Sequence, residues 1–142
     1  MLYKASLRLP TYSKGRGDKK RTNTFSMNIY RNMHYQSLNK VKHDYHKEVE
    51  DWVKILPKFK SITPKYTLFF KGKRKKDIDN SIFPVHKFLM DALVENEIIE
   101  DDDYRYVRGF AVSFGDCEQE EDYVIVSLIG EEEDDCRKSR DV

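Results

Sequence analysis

Asp77 and Asp79 are separated by one residue and follow directly on a run of lysine and arginine at 71–76. Alternate side chains of an extended segment project to the same side, so we expect both carboxylates to lie together at the end of a strand, just before a helix. Neighbouring carboxylates repel each other unless a cation lies between them, and hard oxygen ligands suit Mg²⁺ or Mn²⁺. The spacing therefore predicts a metal site beside a phosphate-binding stretch, although ordinary turns and helix caps show the same spacing.

Two further charged residues lie on the helix that we predict downstream. Lys87 and Asp91 are four residues apart and therefore share one face of that helix. A lysine beside a metal site can offset the charge that develops on a phosphate in the transition state. The alternative is a simple surface ion pair, worth about 0.3–0.5 kcal/mol.

A dense acidic run, Glu100–Asp103, follows the apolar pair Ile98–Ile99. We expect the chain to return Asp101 and Asp102 toward the first two aspartates. Several carboxylates around Mg²⁺ can organise phosphodiester hydrolysis, because the metal polarises the phosphoryl oxygen and helps to generate hydroxide from bound water. A solvated acidic loop is the other interpretation of this run.

Charge is distributed unevenly along the chain, although the formal net charge is only +1. Residues 1–76 contain 20 basic and 5 acidic side chains, whereas residues 77–142 contain 6 basic and 20 acidic side chains. Such asymmetry favours a polyanionic partner bound beside an acidic, cation-binding region. Complementarity between the two halves of the chain would give the same distribution.

The spacing of apolar residues predicts the order β, loop, α, β, α, β, β. Residues 13–24 are polar and basic and contain glycine, so we expect a mobile loop that is either solvated or in contact with phosphate. The segment 115–122 is expected to connect the last two strands as a hairpin. Pro84 is tolerated in the second helix only in its first turn. The predicted strands are 2–9, 66–71, 104–114 and 123–129, and the predicted helices are 36–56 and 81–95.

These elements predict an α/β or α+β fold, in which two main helices pack on a single mixed β-sheet. The chain of 142 residues fits one domain, 1–130, followed by a charged and frayed tail, 131–142. No apolar run approaches the roughly 20 residues that span a bilayer, and the first residues lack the apolar core of a signal peptide. Cys117 and Cys136 are widely separated and are expected to be free thiols. We therefore expect a soluble cytoplasmic protein.

Three motifs together resemble the RusA family of Holliday junction resolvases, over roughly residues 65–129. The motifs are KKDIDN at 75–80, KFLMDAL at 87–93 and IIEDDDYRYV at 98–107. Their order is that of the family: a basic run before DxDN, a lysine four residues before an aspartate of Asp-Ala-Leu, and a pair of aspartates after a short turn. The segment TFSMNIYRNMHY at 24–35 is more loosely similar to the region after the first strand of this family.

The resemblance implies a Mg²⁺-dependent endonuclease, with Mn²⁺ as a possible substitute, that resolves four-way DNA junctions as a homodimer. Matched by motif, the catalytic residues are Asp77, Asp79, Lys87 and Asp102, and the metal ligands are Asp77, Asp79, Asp91, Asp101 and Asp102. The expected DNA-binding residues are Lys14, Arg16, Lys19, Lys20, Arg21, Arg31, Lys73, Arg74, Lys75 and Lys76. Asn28 and Tyr30 are further candidates for DNA contact, or else pack in the protein.

One departure from the family pattern is the segment SIFPVH at 81–86, which is longer than the family's spacing. A helix that began as late as Phe83 would still bring Lys87 to the metal site.

The family's usual distribution suggests a phage or prophage origin, which would place the protein in the host cytoplasm. A flap or fork nuclease and a non-catalytic DNA-binding module are the alternative functions.

Overall fold

The computed structural model describes residues 2–14, 17–19, 21–71, 76–116 and 121–133. In the described parts of the chain, two long helices and one short helix accompany six strands. The strands are β1 (Leu2–Arg8), β2 (Thr11–Lys14), β3 (Arg21–Thr24), β4 (Phe59–Phe69), β5 (Ala111–Phe114) and β6 (Tyr123–Glu132). The helices are α1 (Met27–Asn32), α2 (Tyr35–Lys54) and α3 (Ile78–Glu95), and a 3₁₀ turn occupies Gly17–Lys19.

The main sheet is mixed and has the strand order β1-β6-β4-β5. β6 pairs antiparallel with both β1 and β4, whereas β5 pairs in parallel with β4. Helix α3 forms the crossover between the two parallel strands, as parallel pairing requires. β2 and β3 form a separate two-stranded hairpin. The fold is therefore mixed α+β, which confirms the predicted sheet with two main helices packed on it.

The core lies between one face of the sheet and the two long helices. Val124, Val126 and Leu128 alternate along β6 and are fully buried. From α2, Val49 and Val53, four residues apart on one side of the helix, enter the same core. From α3, the buried stripe includes Leu89 and Leu93. This is the usual arrangement of a sheet that buries one face against amphipathic helices.

The predicted loop at 13–24 is wrong at 13–14 and 21–24, because β2 and β3 pair antiparallel there with Lys14 opposite Arg21. Aromatic packing explains the difference. The ring of Tyr12 lies 6.0 Å from that of Phe25, and the Phe25 ring is stacked 5.7 Å from Phe88 of α3. The hairpin is therefore held against the helices by a few rings, although most of its residues are polar.

The hairpin predicted at 115–122 is also wrong, because β4 lies between β5 and β6 in the sheet. The strand predicted at 104–114 is confined to Ala111–Phe114; the preceding residues form turns and one isolated bridge, Ile62 to Val107. β4 begins at Phe59, earlier than predicted, and includes Pro64.

Helix α3 begins at Ile78 and not near Ser81, so Pro84 lies beyond the first turn. The proline has no N–H for the carbonyl of Asn80, and the helix continues because its second half is held by burial in the core.

β6 continues to Glu132, two residues past the expected domain boundary. Residues 134–142 of the expected tail and both cysteines lie outside the described residues. Among the described helices, none is both long and apolar enough to cross a membrane.

Candidate active-site cleft at the start of helix α3

A cleft of about 520 Å³ opens between the β2–β3 hairpin, the start of α1 and the start of α3. Its walls are largely polar. They include Thr22, Asn23, Thr24, Ser26, Lys76, Asp77, Asn80 and Ser81, with Tyr12, Phe25, Ile29 and Phe70 as the apolar part.

Asp77 is the N-cap residue of α3 and has an extended backbone, with φ −91° and ψ 138°. Its carbonyl oxygen accepts hydrogen bonds from Ser81, at 3.1 Å from the amide and 2.7 Å from the hydroxyl. Its carboxylate makes no capping hydrogen bond and is exposed. The side chain is therefore positioned by the helix start, while its oxygens face solvent.

Asp79 lies in the first turn of the same helix and is exposed. Its Oδ1 accepts a hydrogen bond of 2.9 Å from the amide of Asn80. Negative charge at a helix N-terminus is stabilised by the unpaired amides there. Two carboxylates thus stand at one helix end, but the expected position at the end of a strand is wrong, because β4 ends eight residues before Asp77.

Asn80 connects two walls of the cleft. Its Oδ1 accepts a hydrogen bond of 3.0 Å from the amide of Asn28, at the start of α1. Ser26 caps α1 by accepting from the amide of Ile29 at 3.4 Å. The Tyr30 ring packs edge-on to Phe83 at 5.0 Å. Of the two roles considered for Tyr30, this contact favours packing within the protein over DNA contact.

Asp122 joins the hairpin to the chain that leaves β4. Its Oδ2 accepts a hydrogen bond of 2.5 Å from the Thr24 hydroxyl, and its Oδ1 accepts one of 2.6 Å from the amide of Lys71. Nothing in the sequence singled out Asp122, since it lies in an acidic stretch with no motif of its own.

Of the expected basic residues that the structure describes, Lys76 lines this cleft. The ammonium of Lys76 lies 5.4 Å from the ring centre of Phe70. Lys14 and Arg21 are paired positions of the hairpin, Lys19 lies in the 3₁₀ turn, and Arg31 is exposed in the last turn of α1. Arg16, Lys20, Lys73, Arg74 and Lys75 lie outside the described residues.

Lys87 and Asp91 belong to a different cluster, between α2 and α3. The Asp91 carboxylate lies 3.3 Å from the Lys42 ammonium and 3.5 Å from that of Lys87. Glu95 extends the cluster: it lies 2.9 Å from Nδ1 of His46, whose Nε2 is 3.0 Å from the carbonyl oxygen of Phe88. Asp91 is mainly buried, with 18% of its side chain exposed. Its surroundings are those of an interhelical ion pair.

The predicted carboxylates do not converge within one chain. Asp79 and Asp91 are twelve residues apart on one helix, which corresponds to roughly 18 Å along its axis. The early helix start also leaves Lys87 eight residues beyond Asp79, roughly 12 Å along the axis. In the described residues, no group of three or more His, Cys, Asp or Glu side chains could hold a metal ion.

Asp101 and Asp102 lie at the other end of the molecule. The chain from Ile98 onward runs beside the start of β4, where the Ile98 carbonyl accepts from the Phe59 amide at 2.8 Å. Asp77, in contrast, follows the far end of β4, a strand whose 11 residues span roughly 36 Å. The Asp101 carboxylate accepts from the amide of Asp102 at 2.8 Å, a local turn contact.

The neighbouring Asp103 has a structural partner. Its carboxylate binds the Arg105 guanidinium at 3.0 and 2.8 Å, and this arginine lowers the pKa of Asp103. The C-terminal end of the acidic run is therefore a hydrogen-bonded turn. This agrees better with a solvated acidic loop than with a set of converging metal ligands.

One titratable pair was not anticipated. The hydroxyl of the buried Tyr66 lies 2.7 Å from Nδ1 of His86, and the His86 ring stacks on Phe110 at 4.7 Å. Burial, assisted by the nearby Lys87, lowers the pKa of His86 to about 4. His86 is consequently neutral at neutral pH.

A comparison with protein-family models finds no match, and a comparison with curated proteins finds no related sequence. The resemblance to the RusA family thus rests on the three motifs themselves.

Proposed function

We propose that the chain is a Mg²⁺-dependent endonuclease that cuts branched DNA at the cleft beside α3, with the four-way junction as its substrate. The observation that carries the proposal is the position of Asp77 and Asp79 at one helix end. Asp77 lines a cleft that also includes Lys76 and residues of the hairpin. Cations beside carboxylates are what a site for phosphate and a divalent metal requires.

The two carboxylates suit Mg²⁺ in particular. This ion is commonly bound by one or two carboxylates, while waters and substrate phosphates complete its coordination. Among the described residues, no donor binds the carboxylate of Asp77, and Asp79 uses only Oδ1. Bound there, Mg²⁺ would supply charge stabilisation at the phosphoryl oxygen and an acidic water.

The chain's own residues would orient the DNA. Amides at the start of α3 and the ammonium of Lys76 attract a phosphate, while the bond from Asn28 to Asn80 fixes the opposite wall. A homodimer would present two such clefts to a junction and cut two strands related by its two-fold axis. We place this activity in the cytoplasm. Lys87, Asp91, Asp101 and Asp102 remain candidates from the resemblance alone.

The test is cleavage of a synthetic four-way DNA junction by the protein with Mg²⁺ or with EDTA, beside linear duplex, flap and fork substrates. We expect paired, symmetric nicks in the junction that require Mg²⁺. Asp79→Asn is expected to abolish cutting while junction binding is retained or strengthened, because a negative charge near phosphate is removed. Asp51→Asn, an exposed position on α2, is the matched control. Cutting by Asp79→Asn at the normal rate would refute the assignment.

The second candidate is a DNA-binding module without catalysis. It is favoured by the partners of Asp91, which pairs with Lys42 and Lys87 and lies roughly 18 Å along the axis of α3 from Asp79. Junction binding without cutting under any divalent metal would support it. Preferred cutting of flaps or forks would support the cleft as the active site but would replace the four-way junction as the substrate.

A further inference from the structure

The main sheet has a second face, which we call the outer face, opposite the helices. Side chains alternate across a strand, and on β6 the buried Val124, Val126 and Leu128 point toward α2 and α3. Tyr123, Ile125, Ser127 and Ile129 alternate with them and therefore form the centre of the outer face. In the described part of the chain, no helix or strand packs over this face, and Ile129 is 52% exposed.

Strand register defines the neighbours of these residues. Ser127 is flanked by Lys4 of β1 and Lys65 of β4. Tyr123 is flanked by Arg8 and Phe69. The remaining flanking residues are Ser6 and Thr67 beside Ile125, and Leu2 and Thr63 beside Ile129.

This face combines positive charge with hydroxyl groups. Lys4, Lys65 and Arg8 are exposed, and neither lysine forms an ion pair within the described residues. Arg8 is directed elsewhere: on the edge strand β1, its guanidinium lies 4.0 Å from Glu48 of α2, on the helix side of the sheet. Glu131, at the end of β6, is offset by Lys60 at 3.9 Å. Ammonium, guanidinium and hydroxyl groups are the donors that proteins use to bind phosphate oxygens.

The spacing of the two lysines fits a duplex. Lys4 and Lys65 are two strand spacings apart, roughly 9.5 Å. This separation is comparable with the roughly 12 Å width of the major groove, so phosphates of both strands are within reach.

A second copy of the chain and a single strand fit this face less well. Two outer faces related by a two-fold axis would bring like charges together. Base stacking needs a free aromatic face, but Phe69 and Tyr123 stack on each other at 4.5 Å with an angle of 8° between their planes. A side chain at Gly115 would collide with the Phe69 ring, which is therefore closely packed there as well.

We propose that the outer face of the sheet binds the phosphate backbone of a DNA duplex, as a second DNA-binding surface separate from the cleft beside α3. Binding at the outer face requires no catalysis, so this inference does not depend on whether the cleft cuts DNA. In a protein that binds branched DNA, such a surface would hold one arm while another occupies the cleft.

The experiment measures binding of a 30-base-pair duplex by fluorescence anisotropy in EDTA, over a series of salt concentrations. Removing one cation that neutralises a phosphate lowers the slope of log K against log salt by about 0.9. Lys4→Gln with Lys65→Gln is therefore expected to lower this slope by up to about 1.8. Lys47→Gln with Lys54→Gln, on the exposed side of α2, is expected to leave it unchanged.

If the double variant folds poorly, the single variants Lys4→Gln and Lys65→Gln are measured instead. A change of about 0.9 in the slope for each would support the inference. An unchanged slope in folded Lys4 and Lys65 variants overturns it, as does a change seen only with a single-stranded oligonucleotide. Because EDTA prevents cutting, these outcomes are independent of junction cleavage. A wild-type protein that does not cut junctions, combined with an altered slope in the variants, would refute the proposed endonuclease alone.

Discussion

Tyr66 and His86 form a buried hydrogen bond between the sheet and helix α3, with 2.7 Å between the hydroxyl oxygen and Nδ1. A neutral histidine whose proton is on Nε2 accepts at Nδ1, which satisfies the hydroxyl of a tyrosine that is 0% exposed. Burial also raises the pKa of Tyr66 well above its usual value, so this tyrosine stays a donor.

The low pKa of His86 predicts loss of stability in mild acid. The folded-state value of about 4 lies below the unfolded value of roughly 6.5, so the unfolded chain takes up the proton first as the pH falls. The contribution is complete above pH about 6.5 and is lost progressively toward pH about 4, by up to about 3 kcal/mol. Chemical denaturation at a series of pH values measures it.

His86→Gln keeps an acceptor for Tyr66 and removes the titration, so its stability is expected to depend less on pH between about 6.5 and 4. His43→Gln, on the exposed side of α2, should follow the wild type. If the His86 variant retained the full acid sensitivity, another group would be responsible.

Asp91 is predicted to act mainly in stability. Asp91→Asn removes the charge that pairs with Lys42 and Lys87, and a partly buried pair of this kind costs about 1–2 kcal/mol when broken. Urea denaturation measures the loss, and Asp51→Asn is the control. A variant with unchanged stability and no cutting would return Asp91 to the metal site.

The hairpin is predicted to bind DNA through its positive charge. Replacing Lys14, Arg16, Lys19, Lys20 and Arg21 with alanine should lower the salt slope of junction binding by up to about 4.5, if each contacts one phosphate. The double Lys47 and Lys54 variant controls for a general loss of charge. A slope equal to that of the wild type would show that the hairpin does not touch phosphate.

Glu97 is predicted to be replaceable by glycine with a gain in stability. It follows the C-cap of α3 with a φ of 58°, and the amides of Glu97 and Ile98 bond back to Val94 and Leu93. This is the hydrogen-bond pattern in which glycine is preferred. A left-handed conformation costs other residues roughly 1–2 kcal/mol, and the greater backbone entropy that glycine loses offsets roughly 0.5–1 kcal/mol, so Glu97→Gly should stabilise the protein by up to about 1 kcal/mol. Thermal unfolding would measure the gain. Asn96→Gly, at the neighbouring φ of −92°, should have the opposite effect.

The elements with a clear apolar period were predictable, and the polar ones were not. Val41, Tyr45 and Val49 mark α2 in the sequence because its burial follows one stripe. The hairpin was missed because its attachment depends on Tyr12 and Phe25, and the Phe25 ring packs on Phe88, which is distant in sequence. Local pattern contains no information on such partners.

The candidate site was predictable only in part, for a similar reason. The nearness of Asp77 and Asp79 follows from their spacing, and the structure keeps them together at one helix end. The position of Asp102 depends on the length of α3, which continues for 18 residues and carries the later acidic run away from its start. The predicted end of α3 at residue 95 was correct, and only its start was predicted three residues late.

Asp122 has a consequence for how the hairpin is attached to the end of the sheet. The same carboxylate accepts from Thr24, where the hairpin ends, and from Lys71, where the chain to Asp77 begins. Displacement of the hairpin would therefore also disturb the backbone at Lys71, through a single acceptor. In the proposed nuclease, loss of this one carboxylate would release the hairpin and the end of the sheet from each other.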